Sequence, residues 1–130
     1  MKFLVEVSPG ELIDKLTILE IKLENIADES KLVNVRREYE AMKAVYQSAI
    51  VETEALRELT AKLKSVNAKL WDIEDDIRDQ ERARTFGDAF IALARSVYRT
   101  NDERAAIKRQ INALLHSEII EEKSYADYGA

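Results

Sequence analysis

The chain of 130 residues contains no cysteine, three glycines and a single proline. The lack of cysteine excludes disulfides, thiol nucleophiles and thiolate metal sites. The scarcity of glycine and proline leaves too few turn residues for a β-sandwich or β-barrel, whereas long helices need few connections. We therefore expect an all-α fold.

Other features are also missing. No segment approaches the roughly 20 apolar residues of a membrane-spanning helix, and the apolar part of "MKFLVEV" is too short for a signal-peptide core. The net charge of −5 gives no general attraction to nucleic acid. A conventional zinc site needs several histidine or cysteine ligands, and His116 is the only histidine. We expect a cytoplasmic protein with no cofactor, no nucleic-acid partner and no membrane span.

What the chain does contain is 46% apolar and 35% charged residues, with the apolar residues at helical spacing. This pattern predicts an antiparallel helical bundle, or a long helical hairpin, of four to five helices. We expect one domain over residues 1–130. Short extended segments flank the helices, and "KFLVEV" at the N-terminus could pair with "EIIEEKSY" near the C-terminus or with a second subunit.

The first helix has a clear start. Ser8 is the expected N-cap, Pro9 suits the first helical position, and Glu11 would complete a capping box. The helix should run to about Ile26. Because its apolar residues lie on more than one side, we predict that it is central in the fold or lies at a subunit interface.

Two longer apolar runs follow, with a change of phase at "IVETEAL". Either one helix ends near Ile50 and another begins around Thr53, or one long helix carries a local irregularity. We favour two helices, since two antiparallel arms bury more apolar surface in a compact domain. A further break is expected at Gly87, with Asp88 capping the next helix.

Residues 88–116 allow two interpretations. If they form one helix, Asn101, Arg104 and Lys108 share a narrow stripe with apolar residues, and the buried charges need carboxylate partners or a bound anion. If Thr100 restarts the helix, with Glu103 completing a capping box, the charges need not be buried.

This stretch supplies the candidate binding site. We favour ion pairs between its basic residues and acids of a neighbouring helix. The functional alternative is a site for an anion or a phosphate-bearing ligand. Its candidate residues are Arg99, Asn101, Asp102, Arg104 and Lys108.

The stretch "LWDIEDDIRDQE" is rich in acids, which we interpret as a solvated face, so no metal is expected. A weaker alternative is a Mg²⁺ or Mn²⁺ site between two helices. Its ligands would be Glu11, Asp14, Asp72 and Asp75. The corresponding function would be that of a metal-dependent nucleotide pyrophosphohydrolase, although the motifs do not match that class.

A resemblance rests on five blocks that cover nearly the whole chain: "SPGELIDKLTILEIKLENI", "KLVNVRREYE", "LWDIEDDIR", "FIALARSVYRTNDERAAIKRQIN" and "EEKSY". They resemble a small bacterial protein family that is classed as a domain of unknown function. The resemblance implies a helical protein without an established activity. It also implies a link to cell-surface polysaccharide synthesis, because some members lie near genes of that process, but it carries over no catalytic residues.

The leading hypothesis is a non-catalytic helical protein that forms a homodimer or binds a partner protein. Its heptad-like seams, typical of coiled coils, would form the contact. The rival is a binder or enzyme for a nucleotide or nucleotide sugar. The metal-dependent hydrolase is a distant third. Catalysis itself is left open by the sequence.

Overall fold

A computed structural model describes residues 1–129 of the chain. It contains four helices: α1 (Pro9–Asn25), α2 (Glu29–Ala49), α3 (Glu54–Ala83) and α4 (Asp88–Leu114). No strand occurs within those residues, which confirms the all-α prediction, and the two terminal segments do not pair as strands. No helix in this part of the chain is both long and apolar enough to cross a membrane.

The start of α1 follows local capping chemistry. The Ser8 hydroxyl accepts a hydrogen bond from the Glu11 backbone N–H at 3.1 Å, and Pro9 occupies the first turn. The Glu11 carboxylate contacts Lys108 on α4, so only the Ser8 half of the predicted capping box forms. Ile26 is the C-cap, as the predicted end of this helix required.

Helix α1 lies at the centre of the fold and packs against α2, α3 and α4. It buries apolar side chains on more than one side, which confirms the prediction of a central helix. Burial of each large aliphatic side chain contributes about 1.5–3 kcal/mol. One cluster of the buried core consists of Ile13 and Leu16 of α1, Tyr46 of α2, Leu56 and Leu63 of α3, and Ile107 and Ile111 of α4.

The helix boundaries agree with the predicted breaks, with one exception. Thr53 caps α3 by accepting the Leu56 N–H at 3.1 Å, so the two-helix interpretation of this region is correct. At the third connection, Arg84 closes α3 in the left-handed conformation, with φ of 56°. Gly87, and not Asp88, is the N-cap of α4, and Asp88 is the first helical residue.

Helix α4 continues through the stretch that allowed two interpretations. Thr100 is 1% exposed in the middle of this helix, so it is not an N-cap. The one-helix interpretation is therefore correct. Polar side chains of α4 lie on the side of the helix that faces the interior. Their charges need partners there.

Helices α1 and α4 approach each other closely at Gly10. Its N–H donates to the Asn112 side-chain oxygen at 2.7 Å, and a Cβ at this position would lie 2.7 Å from the Lys108 carbonyl oxygen. No other residue has a side chain small enough for this contact. The glycine lets α4 lie directly against the first turn of α1.

Candidate functional site

A buried ion pair joins α1 to α4. Asp14 is 1% exposed, and its carboxylate accepts two hydrogen bonds from the Arg104 guanidinium. Nε donates to Oδ1 at 2.9 Å, and Nη2 donates to Oδ2. The hydrogen bonds to Asp14 raise the pKa of Arg104 above its ordinary value, against the opposing effect of burial. The guanidinium is therefore a permanent cation matched to a carboxylate.

Helix α3 completes the surroundings of Asp14. The Asn67 amide donates to Asp14 Oδ1 at 2.8 Å and to the Thr17 hydroxyl oxygen at 2.9 Å. The Thr17 hydroxyl in turn donates to the Asp14 carbonyl at 2.7 Å. Within residues 1–129 no buried side-chain nitrogen or oxygen lacks a partner. The network is fully satisfied, which is the condition for a buried charge to be tolerated.

Lys108 forms a second link, one helical turn further along α4. Its Nζ lies 2.6 Å from Glu11 Oε2 and 3.3 Å from Glu121 Oε2 in the C-terminal tail. Glu121 Oε1 also accepts from the Ser8 hydroxyl at 2.8 Å. Burial alone would lower the pKa of Lys108, but the Glu11 hydrogen bond and the nearby carboxylates outweigh it and raise the pKa. Lys108 therefore fastens the tail to the start of α1.

The tail, residues 116–129, and α4 enclose a cleft of about 690 Å³. Lys123 Nζ lies 2.6 Å from Asp102 Oδ1 across it, and the Tyr98 and Tyr128 rings are 5.1 Å apart. The hydrogen bond from Lys123 has the largest effect on the pKa of Asp102, and the bond from Tyr128 the next largest. Both lower this pKa. Three tyrosines and four cations line this tail cleft: Tyr98, Tyr125, Tyr128, Arg104, Lys108, Arg109 and Lys123.

Four of the five residues predicted to bind an anion line the tail cleft, and Arg99 does not. Arg104 and Lys108 are paired with carboxylates of α1, which agrees with the predicted ion pairs to a neighbouring helix. Asp102 is paired with Lys123. Asn101 reaches both this cleft and a second one. Arg99 is exposed and has no ion pair within residues 1–129. The structure thus brings four of the five residues together, and carboxylates neutralise the two cations among them.

The second cleft, of about 460 Å³, lies between α1, α3 and α4 and is lined by Trp71 and Asp75. Of the four carboxylates in the metal alternative, Glu11 and Asp14 are engaged by Lys108 and Arg104. Asp72 is exposed. In the part of the chain that the structure describes, no three His, Cys, Asp or Glu side chains are grouped to hold a metal ion.

Sequence reasoning missed four residues of this region. Asn67 lies beside an apolar run of α3 whose helical spacing is unbroken from Val66 to Leu70, so no local signal marked it. Gly10 and its partner Asn112 meet only through tertiary packing. Glu121 lies in a tail without helical periodicity, where no pattern marks it.

The geometry defines the class of the chain: a four-helix protein with a central first helix, a buried polar network and a cleft beneath its C-terminal tail. The chain belongs to the family of unknown function DUF6165, which it matches over residues 1–128. No curated protein and no solved structure matches it.

Proposed function

We propose that this protein acts without catalysis, by associating with a second copy of itself as a bacterial, cytoplasmic homodimer. The observation that carries the proposal is the N-terminal arm, residues 1–7. Its apolar side chains are uncovered: Phe3 is 81%, Leu4 100% and Val5 77% exposed. A contiguous exposed apolar segment is typical of an interaction site.

The central polar network supports a packing role. Arg104 and Lys108, the cations best placed for an anion, are held by Asp14 and by Glu11 with Glu121. Release of either cation for a ligand would leave a carboxylate unpaired, and for Asp14 that carboxylate is buried. These cations therefore serve the fold. We extend the proposal to a role linked to cell-surface polysaccharide synthesis on the resemblance alone.

The test is the molar mass in solution, measured by sedimentation equilibrium against the 14.9 kDa of one chain. We expect a dimer that dissociates when Phe3→Asp and Val5→Asp are combined. The matched control is Val51→Asp, because Val51 is 82% exposed in the connection between α2 and α3. A wild-type chain that stays monomeric up to millimolar concentration contradicts the proposal.

A second candidate function is the binding of a phosphate-bearing small ligand in the tail cleft. The volume of about 690 Å³ falls within the range of small-molecule sites. Three tyrosines and the cation Arg109 give it the mixed apolar and positive lining that a nucleotide or nucleotide sugar requires.

This candidate is tested by thermal unfolding with nucleotides, nucleotide sugars and inorganic phosphate. A ligand at 100 times its Kd stabilises the folded state by about 2.7 kcal/mol. Arg109→Ala should remove the shift, whereas Arg95→Ala, at an exposed position of the same helix, should retain it. Absence of any shift contradicts ligand binding and leaves the association proposal unaffected.

A further inference from the structure

The N-terminal arm is an irregular segment without a partner in its own chain. Residues 1–7 form no helix, turn or bend, and within residues 1–129 they make no hydrogen bond with the rest of the chain. Unpaired backbone donors and acceptors of an extended segment are a template for pairing with another strand. The end of the arm is fixed, because Ser8 is 1% exposed and bonded to Glu121.

The arm has two different faces. When the arm pairs as a strand, successive side chains point to opposite sides, so Phe3, Val5 and Val7 share one face. Lys2, Leu4 and Glu6 lie on the other. One face is thus wholly apolar, and the other carries a positive charge at one end and a negative charge at the other.

We propose, resting on the association proposed above, that two copies pair these arms as antiparallel strands with a two-fold axis at Leu4. Leu4 then faces Leu4 of the partner subunit. A two-fold axis repeats each contact, so two Lys2–Glu6 pairs and two Phe3–Val5 pairs flank it. In this register, opposite charges are paired on one face of the two-stranded sheet, and apolar side chains are in contact on the other face.

Neighbouring registers lose one of these matches. A shift by one residue places the apolar face of one strand on the polar face of the other. An axis at Phe3 sets Lys2 against Leu4, and an axis at Val5 sets Leu4 against Glu6. The Leu4 register alone pairs opposite charges and keeps both apolar faces on the same side, where aromatic and β-branched side chains stabilise cross-strand contacts.

Because the chain contains no cysteine, a single introduced thiol can form a disulfide only between copies. Residues directly opposite in antiparallel strands have Cα atoms about 4.5–5.5 Å apart, within the range of a disulfide. Leu4→Cys should therefore oxidise to a covalent dimer. Lys2→Cys and Glu6→Cys should each remain single chains, and an equal mixture of the two should crosslink.

Val51→Cys is the matched control, since Val51 is as exposed as the arm but lies outside it. If Val51→Cys crosslinks as fast as Leu4→Cys, the disulfides report collisions and the register is overturned. If the protein is a dimer but neither Leu4→Cys nor the mixture crosslinks, the register fails and the association proposal stands. A monomer by sedimentation overturns both.

Charge exchange gives an independent test. Lys2→Glu and Glu6→Lys should each raise the dimer Kd by about 2- to 30-fold, because two cross-strand ion pairs become like-charge contacts. The combined variant Lys2→Glu with Glu6→Lys restores opposite charges and should return the Kd to that of the wild type. Failure of the combined variant to recover overturns the Lys2–Glu6 pairing.

Discussion

The Arg104 guanidinium on α4 donates hydrogen bonds to both carboxylate oxygens of Asp14 on α1. The two residues are 90 positions apart in the chain. The pair therefore fastens the first helix to the last, and Asn67 attaches α3 to the same carboxylate.

Arg104→Ala should lower the free energy of unfolding by about 3 kcal/mol, because it leaves the buried Asp14 carboxylate without its cation. Chemical denaturation measures this loss. The control is Arg109→Ala at an exposed position of α4, which should change stability by less than about 0.5 kcal/mol. Equal effects of the two variants would contradict the role of the buried pair.

Gly10→Ala should destabilise the fold by about 1–3 kcal/mol, because its Cβ would overlap the Lys108 carbonyl oxygen on α4. Gly87→Ala is the matched control, since a Cβ there would meet nothing within 4 Å. Thermal unfolding of the two variants gives the comparison. A Gly10→Ala variant as stable as Gly87→Ala would mean that α1 and α4 separate at little cost.

Stability at high pH should depend on Tyr46. Burial, and then the hydrogen bond to Glu52, raise the pKa of Tyr46 to about 12, whereas an unfolded tyrosine ionises near pH 10. The unfolded state is thus stabilised by ionisation at a lower pH than the folded state. The contribution of Tyr46 is complete below pH 10 and is lost as pH rises towards 12, by about 2–3 kcal/mol.

Denaturation of Tyr46→Phe between pH 8 and pH 11.5 should show a shallower decline of stability than the wild type. Tyr125→Phe is the control, because Tyr125 is 83% exposed and its replacement should leave the wild-type profile. Parallel profiles of Tyr46→Phe and the wild type would contradict the assignment.

Glu121→Ala should loosen the C-terminal tail, because Glu121 contacts both Ser8 and Lys108. Surface ion pairs contribute up to about 1 kcal/mol, so trypsin cleavage after Lys123 should accelerate about two- to fivefold. High salt should bring the wild-type rate towards that of the variant. Glu118→Ala is the control, since Glu118 has no ion pair within residues 1–129; an equal rate for both variants would contradict the tether.

The helices were predictable because their signals are local. Ser8 and Thr53 cap helices within one turn of their own positions, so the neighbouring residues in the sequence are enough to predict them. The single error at a boundary, Asp88 in place of Gly87 as the cap, is one residue long. Such shifts are expected where a helix begins without a side-chain cap.

The site was less predictable because its partners are distant in sequence. The need for a carboxylate near Arg104 follows from the helical period, but the choice of Asp14 depends on how α1 and α4 cross. The contact of Ser8 with Glu121 spans 113 positions and involves a tail without periodicity. No local pattern encodes either contact.

The contact of Gly10 with Asn112 also determines when α1 can be fully packed during synthesis of the chain. Helix α1 obtains its last neighbour only after α4 has been made. At the usual rates of translation the side of α1 that faces α4 stays uncovered for about 5 to 20 s. We therefore expect a nascent chain halted before α4 to leave apolar surface of α1 exposed and to be prone to aggregation.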